Sequence, residues 1–130
     1  MSKIDKESAV SEIMTADVAT VSEHAYLSIA EFMRDSIGVR HLPVVDMSDK
    51  PIGIVSIRDI LAHYKNIGAD GRVPVGEIMS SPVLNVEPST KIKDVAKLMY
   101  KNKVSSVIIV DGVTLVGIVT ERDFLKVFLD

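Results

Sequence analysis

The chain has 130 residues, about one domain's worth of polypeptide, and no cysteine, which excludes a disulfide framework, a thiolate zinc site and a cysteine nucleophile. Fifteen basic residues against 18 acidic ones, a net charge of −3, leave none of the basic stripe expected of a nucleic-acid binder. Hydrophobic residues reach 47% and aromatics only 5%, an aliphatic excess too apolar for disorder, yet the longest apolar runs, such as residues 107–110, fall far short of the roughly 18 residues of a membrane helix.

Residues 1–7 are charged and polar, so no secretory leader is expected. Residues 8–14 read as a short helical turn and residues 18–21 as an extended piece. Tyr26, Ile29, Ala30, Met33 and Ile37 then recur at helical spacing and predict an amphipathic helix. Residues 42–45 predict an apolar strand that ends in a turn at Asp46. Residues 52–55 predict a second strand, and a second helix starts near Arg58. Residues 65–73, with Gly68 and Gly71, read as a linker. The same order then returns. Pro74 suits a helix start before the turn at 75–79, residues 83–86 are extended, and Ile92, Val95, Ala96 and Met99 lie on one helical face. Strands follow at 107–110 and 115–119, separated by a turn at Asp111, with a last helix near Arg122.

The return is a duplication at the level of residues. Glu12-Ile13-Met14 recurs as Glu77-Ile78-Met79, and Gly53-Ile54-Val55 as Gly117-Ile118-Val119. Val18, Val21, Ala30, Met33, Val45, Asp46, Arg58, Asp59 and Leu61 recur as Val83, Val86, Ala96, Met99, Val110, Asp111, Arg122, Asp123 and Leu125. Each copy reads β-α-β-β-α. The chain is therefore expected to be α+β, with repeats at 8–64 and 74–130 joined by the linker 65–73. Neither copy has enough strands to bury both faces alone, so the two are expected to share one core.

The sharpest local signal is the end of each second strand, where Gly53-Ile54-Val55-Ser56-Ile57-Arg58-Asp59 is matched by Gly117-Ile118-Val119-Thr120-Glu121-Arg122-Asp123. Ser56 with Asp59, and Thr120 with Asp123, have the spacing of a capping box, in which the hydroxyl and the carboxylate satisfy free amides of the first helical turn. The same residue types also suit a ligand. A hydroxyl and the free N–H groups at a helix start can bind phosphate, an arginine can pair with it, and a carboxylate has two oxygens to accept from the hydroxyls of a ribose. Both readings stand on these residues.

With Leu42-Pro43-Val44-Val45-Asp46 and Val107-Ile108-Ile109-Val110-Asp111 added to these motifs, the chain from Val10 to Leu125 resembles a tandem pair of CBS domains (cystathionine-β-synthase type), a Bateman module. So little lies outside the resemblance that no enzyme, transporter or DNA-binding domain is expected to be attached. The resemblance implies two α+β repeats packed as a pseudo-twofold pair with two clefts, each taking an adenosine-containing ligand: AMP, ADP, ATP, or less often NAD or S-adenosylmethionine. Carried over by position, one cleft uses Thr120, Arg122 and Asp123 with Val18, Ala19, Arg40, His41 and Pro43. The other uses Ser56, Arg58 and Asp59 with Val83, Leu84, Ser105, Ser106 and Ile108. Ile108 replaces the family's usual proline. Arg40 and His41 add a fixed cation and a titratable group to the first cleft, so the Asp123 cleft is expected to bind the more highly phosphorylated or the tighter ligand. The implied function is a cytoplasmic, non-catalytic module that senses adenine nucleotides and signals by conformational change to an unidentified partner. The alternative is a homodimerisation or assembly module with vestigial clefts.

Other residues are expected to serve the fold. His24, His41 and His63 show no metal-ligand spacing. Met14, Met33, Met79 and Met99 fall at equivalent apolar positions and predict core packing. Asp46 and Asp111 suit turns. The last segment, Phe124-Leu125-Lys126-Val127-Phe128-Leu129, is apolar on nearly all sides. A surface helix should be wet on one face, so Val127 and Phe128 are expected to need cover from a second copy in a homodimer.

Overall fold

In a computed structural model, residues 3–26, 41–63 and 72–129 are described. Among them, six strands form two three-stranded sheets of the same design. In the first, β1 (Val21–Ser22) pairs parallel to β2 (His41–Val45), and β2 pairs antiparallel to β3 (Pro51–Ser56). In the second, β4 (Asn85–Val86) pairs parallel to β5 (Ser106–Asp111), and β5 antiparallel to β6 (Thr114–Thr120). The register of the antiparallel pair shifts at Val44/Val45 in one sheet and at Ile109/Val110 in the other. The expected turns follow. The Asp46 carboxylate accepts from the Ser48 and Lys50 N–H groups at 2.8 and 3.0 Å, and Gly112 beside Asp111 takes φ +65°.

Helices join the sheets where apolar periodicity demands them. Helix α1 (Ile57–Ala62) leaves β3, and α2 (Ile92–Asn102) lies between β4 and β5, burying Ile92, Val95 and Met99 on one face. Lys103 ends α2 in the left-handed region at φ 56°, so that the Val104 N–H reaches back to the Met99 carbonyl at 3.1 Å. Among the described residues three segments are 3-10 helices: Val10–Glu12, Val75–Glu77 and Glu121–Phe128. The last of these replaces the α-helix expected near Arg122. Of the helix expected from Tyr26 to Ile37, all but Tyr26 lies outside the described residues, as does the linker apart from Arg72 and Val73.

The chain divides into two compact units, and they cut across the sequence repeats. One unit is Ala19–Val83; the other is Met1–Val18 with Leu84–Asp130. Each sheet is therefore completed by the opening segment of the other repeat. In the first unit Ser80 and Ile54 exchange backbone hydrogen bonds at 2.8 and 3.0 Å, while the Val75 and Gly76 N–H groups donate to the Ala25 and Glu23 carbonyls. In the second, Thr15 and Ile118 exchange the same pair at 2.8 and 3.0 Å, and the Val10 and Ser11 N–H groups donate to Thr90 and Pro88.

Among the described residues, two clusters of buried side chains lie one in each unit, and Ile54, Ile108 and Ile118 are buried outside both. Val10 and Ile13 join Ile92, Val95, Met99, Val107, Ile109 and Val119, whereas Val75 and Ile78 join Val44, Val55 and Ile60. The sharing inferred from the strand count takes the form of exchanged segments, because an isoleucine from the partner repeat covers the open face of each small sheet. Met99 is buried, and Met14 and Met79 pack against the two clusters as expected; Met33 lies outside the described residues.

Candidate functional site

The strand-end motif is built identically in principle and differently in detail in the two units. In the first, the chain leaves β3 at Ser56 in extended conformation and turns into α1. The Asp59 Oδ2 accepts from the Ser56 N–H at 2.8 Å and from Ser56 Oγ at 3.0 Å, while Ser56 Oγ accepts from the Asp59 N–H at 3.2 Å. This is the capping box read from the spacing. The other carboxylate oxygen, Oδ1, accepts from Ser80 Oγ at 3.0 Å. Ser80 arrives on the exchanged segment and is exposed.

In the second unit the Asp123 Oδ2 accepts from the Thr120 N–H at 2.9 Å, with Thr120 Oγ1 at 3.4 Å. Its Oδ1 faces a cation rather than a hydroxyl: Lys126 Nζ lies 3.2 Å away and also donates to the Ile13 carbonyl at 2.9 Å. Asp123 is only 8% exposed. With this ion pair and the capping contacts its buried charge is compensated, as burial of a carboxylate requires. The carboxylate oxygen left outside the capping box is thus held by a neutral hydroxyl in one copy and by an ammonium in the other.

The remaining sequence-predicted residues fall as follows. His41 opens β2 directly opposite Ser56, and Pro43 is buried opposite Ile54. Ala19 is exposed, Val83 half-buried, and Arg58 exposed, in the same unit. In the other unit Ser106 is opposite Thr120 and Ile108 opposite Ile118; both are buried. The Ser105 carbonyl accepts from the Glu121 N–H at 3.1 Å, and the Leu84 carbonyl from the Ile108 N–H at 3.0 Å. Val18 is half-buried and Arg122 exposed. The structure thus groups Ser56 and Asp59 with His41 and Pro43, and Thr120 and Asp123 with Ser105, Ser106 and Ile108. The residues implied for each cleft divide between the units, and Arg40 lies outside the described residues.

Two contacts to the carboxylates went unread in the sequence. Lys126 stands three residues after Asp123, a spacing at which opposite charges meet on a helix, so the pair was legible. Ser80 is 21 residues from Asp59, and no local pattern joins them. No cluster of three or more candidate metal ligands occurs among the described residues, and none of their helices is long and apolar enough to cross a membrane.

Two matched β-β-helix units, each ending its last strand in a hydroxyl and a carboxylate, define a duplicated α+β module with one such motif per repeat. The chain belongs to the CBS domain family, whose model matches residues 10–66 and 75–130. It is 34% identical over 116 residues to the CBS domain-containing protein YhcV of Bacillus subtilis, covering 89% of this chain and 82% of that one. It is also 34% identical over 116 residues to an inosine-5'-monophosphate dehydrogenase of Methanocaldococcus jannaschii, covering 88% of this chain and 22% of the enzyme. Among solved structures, CBSX2 in complex with AMP superposes with a TM-score of 0.77 at 28% identity, covering 94% of this chain and 96% of that one. The chain is a CBS-domain pair, a regulatory module of a family that binds adenosine ligands.

Proposed function

We propose that this chain is a cytoplasmic sensor of adenine nucleotides (AMP, ADP or ATP) that reports ligand occupancy to an unidentified partner by a change of shape, without catalysis. The observation that carries this reading is the fixed carboxylate at each strand end, Asp59 and Asp123, oriented by its own capping box and of the type that accepts from the hydroxyls of a ribose. The AMP complex of CBSX2, similar over 94% of this chain, supports the ligand class. Ser56, Arg58, Val83, Leu84, Ser105, Ser106 and Ile108 accompany Asp59 in this reading. Thr120, Arg122, Val18, Ala19, Arg40, His41 and Pro43 accompany Asp123.

The module acts as a homodimer in this reading. Leu125, Phe128 and Leu129 are 58%, 81% and 69% exposed. On the same unit an open groove of about 450 Å³ is lined by Ala96, Met99, Tyr100, Val104 and Phe124, with Lys103 and Glu121 at its polar positions. An apolar set of this kind on a monomer marks a docking surface. Val127, expected to share this exposure, packs instead against the core of its own unit, so Phe128 is the residue that a second copy would cover. Phe128→Asp should lower the mass found by sedimentation to that of one chain.

Thermal unfolding with AMP, ADP, ATP, NAD and S-adenosylmethionine tests the sensor. A ligand at 100 times its Kd stabilises by about 2.7 kcal/mol, a rise on the order of 10 °C for a domain of this size. A rise with one nucleotide, lost in the Asp59→Ala Asp123→Ala double variant, is the expected result. No rise with any of them would leave the assembly module as the better reading.

A further inference from the structure

We infer that Lys126 makes the two nucleotide half-sites unequal, by occupying the carboxylate oxygen of Asp123 that its counterpart Asp59 leaves to a displaceable hydroxyl. The inference rests on the nucleotide reading above and ranks the two motifs within it. In both copies one carboxylate oxygen is used by the cap, at 2.8 Å from the Ser56 N–H and 2.9 Å from the Thr120 N–H. The ribose must therefore be read chiefly by the other. At Asp59 that oxygen meets Ser80 Oγ at 3.0 Å, a neutral, exposed group that can turn away when a ribose hydroxyl replaces it. At Asp123 it meets Lys126 Nζ at 3.2 Å, and the ammonium is tethered a second time, to the Ile13 carbonyl at 2.9 Å. A hydroxyl that displaces this cation removes the ion partner of a carboxylate that is 8% exposed. That costs far more than turning a serine, because a buried charge without its partner is strongly destabilising.

The residue is a feature of this copy alone: the position equivalent to Lys126 in the first repeat is Ala62. The duplicated motif has thus diverged into an open acceptor at Asp59 and a locked one at Asp123. This reverses the ranking expected from Arg40 and His41. The lock acts as a positioning device, not as a ligand contact, and the two roles predict opposite effects of its removal.

Isothermal titration of the full chain with adenosine and with AMP separates them. Wild type is expected to take up one equivalent per chain with the higher affinity, lost in Asp59→Ala and retained in Asp123→Ala. Lys126→Met should tighten the second site by up to about fivefold, the scale of one ion pair, for adenosine and AMP alike, and bring the stoichiometry toward two. Lys126→Arg, which keeps the charge, should behave as wild type; a purely structural loss would not spare it in this way. Weaker AMP binding by Lys126→Met with adenosine unaffected would make Lys126 a phosphate contact and overturn the lock. Two equal sites in wild type that Lys126→Met leaves unchanged would overturn the lock and leave the nucleotide reading intact. Absence of binding by wild type and Lys126→Met alike would overturn both.

Discussion

Gly117 in β6 lies directly against Met14, and a Cβ built on it would come 3.0 Å from both the methionine Cγ and the Thr15 carbonyl oxygen. The relationship is repeated in the other unit, where a Cβ on Gly53 would meet the Met79 side chain and stand 3.0 Å from the Ser80 carbonyl. A methionine can move aside, but the carbonyl belongs to the backbone ladder that docks the exchanged segment on its sheet. Gly117→Ala and Gly53→Ala are therefore each expected to cost about 1–3 kcal/mol, as overpacking does, measured by urea unfolding. Gly112 has nothing within 4 Å, so Gly112→Ala should cost only the left-handed backbone strain at φ +65°, about 1–2 kcal/mol. A neutral effect at Gly117 would mean that the segment carrying Met14 does not seat there.

The exchange of opening segments makes a prediction about where a core mutation is felt. Ile13 is fully buried with Val107, Ile109 and Val119, and Ile78 with Val44 and Val55. Truncation of either to alanine should cost about 2–5 kcal/mol. Amide hydrogen exchange should then show Ile13→Ala loosening β5 and β6, although Ile13 belongs by sequence to the first repeat. Loosening confined to β2 and β3 would refute the exchange.

Lys103 closes α2 with φ 56°, a conformation that costs a residue with a Cβ about 1–2 kcal/mol and glycine almost nothing. Lys103→Gly is expected to stabilise the protein, by up to about 1 kcal/mol once glycine's greater freedom in the unfolded chain is set against the relief. Denaturant midpoints read the difference.

Glu7 is clamped to the start of α2. Its carboxylate accepts from Lys93 Nζ at 2.7 Å and lies 3.1 Å from Lys91 Nζ. The hydrogen bond from Lys93, then that from Lys91, lowers its pKa from 4.5 to about 2, and the same contact raises that of Lys93. Because the folded value lies below the unfolded one, the stabilisation is complete above about pH 4.5 and is lost as the pH falls toward 2. An NMR titration should place the Glu7 midpoint well below the usual carboxylate range, and Lys93→Ala should return it toward 4.5. The pair is exposed, so 1 M salt should shrink the shift. A wild-type midpoint near 4.5 would show that the clamp does not persist in solution.

Much of this architecture was legible because it is local. Runs of valine and isoleucine mark β2, β3, β5 and β6, Asp46 marks its turn, and Ile92, Val95 and Met99 mark one face of α2. The capping boxes at Ser56 and Thr120 were legible for the same reason, since the partners stand three positions apart. The 3-10 form of Glu121–Phe128 was not, because the apolar spacing of a short helix does not separate an α turn from a tighter one. Nor was the cover over Val127, which depends on what the segment packs against.

The sequence alone determined that one α+β unit is written twice, that each copy ends its last strand in a hydroxyl and a carboxylate three residues apart, and that the pattern resembles the CBS family. These are statements about spacing, and spacing is carried by the chain itself. Only the tertiary structure decided which segment completes which sheet, and with it the surroundings of the two carboxylates. Ser80 reaches Asp59, and Lys126 bridges Asp123 to the Ile13 carbonyl 113 residues away, because each small sheet buries its open face with an isoleucine from the other repeat. Two nearly identical motifs thereby acquire different neighbours: Lys126 is local to Asp123, but Ser80 and the Ile13 carbonyl that tethers Lys126 come from residues that sequence distance does not connect.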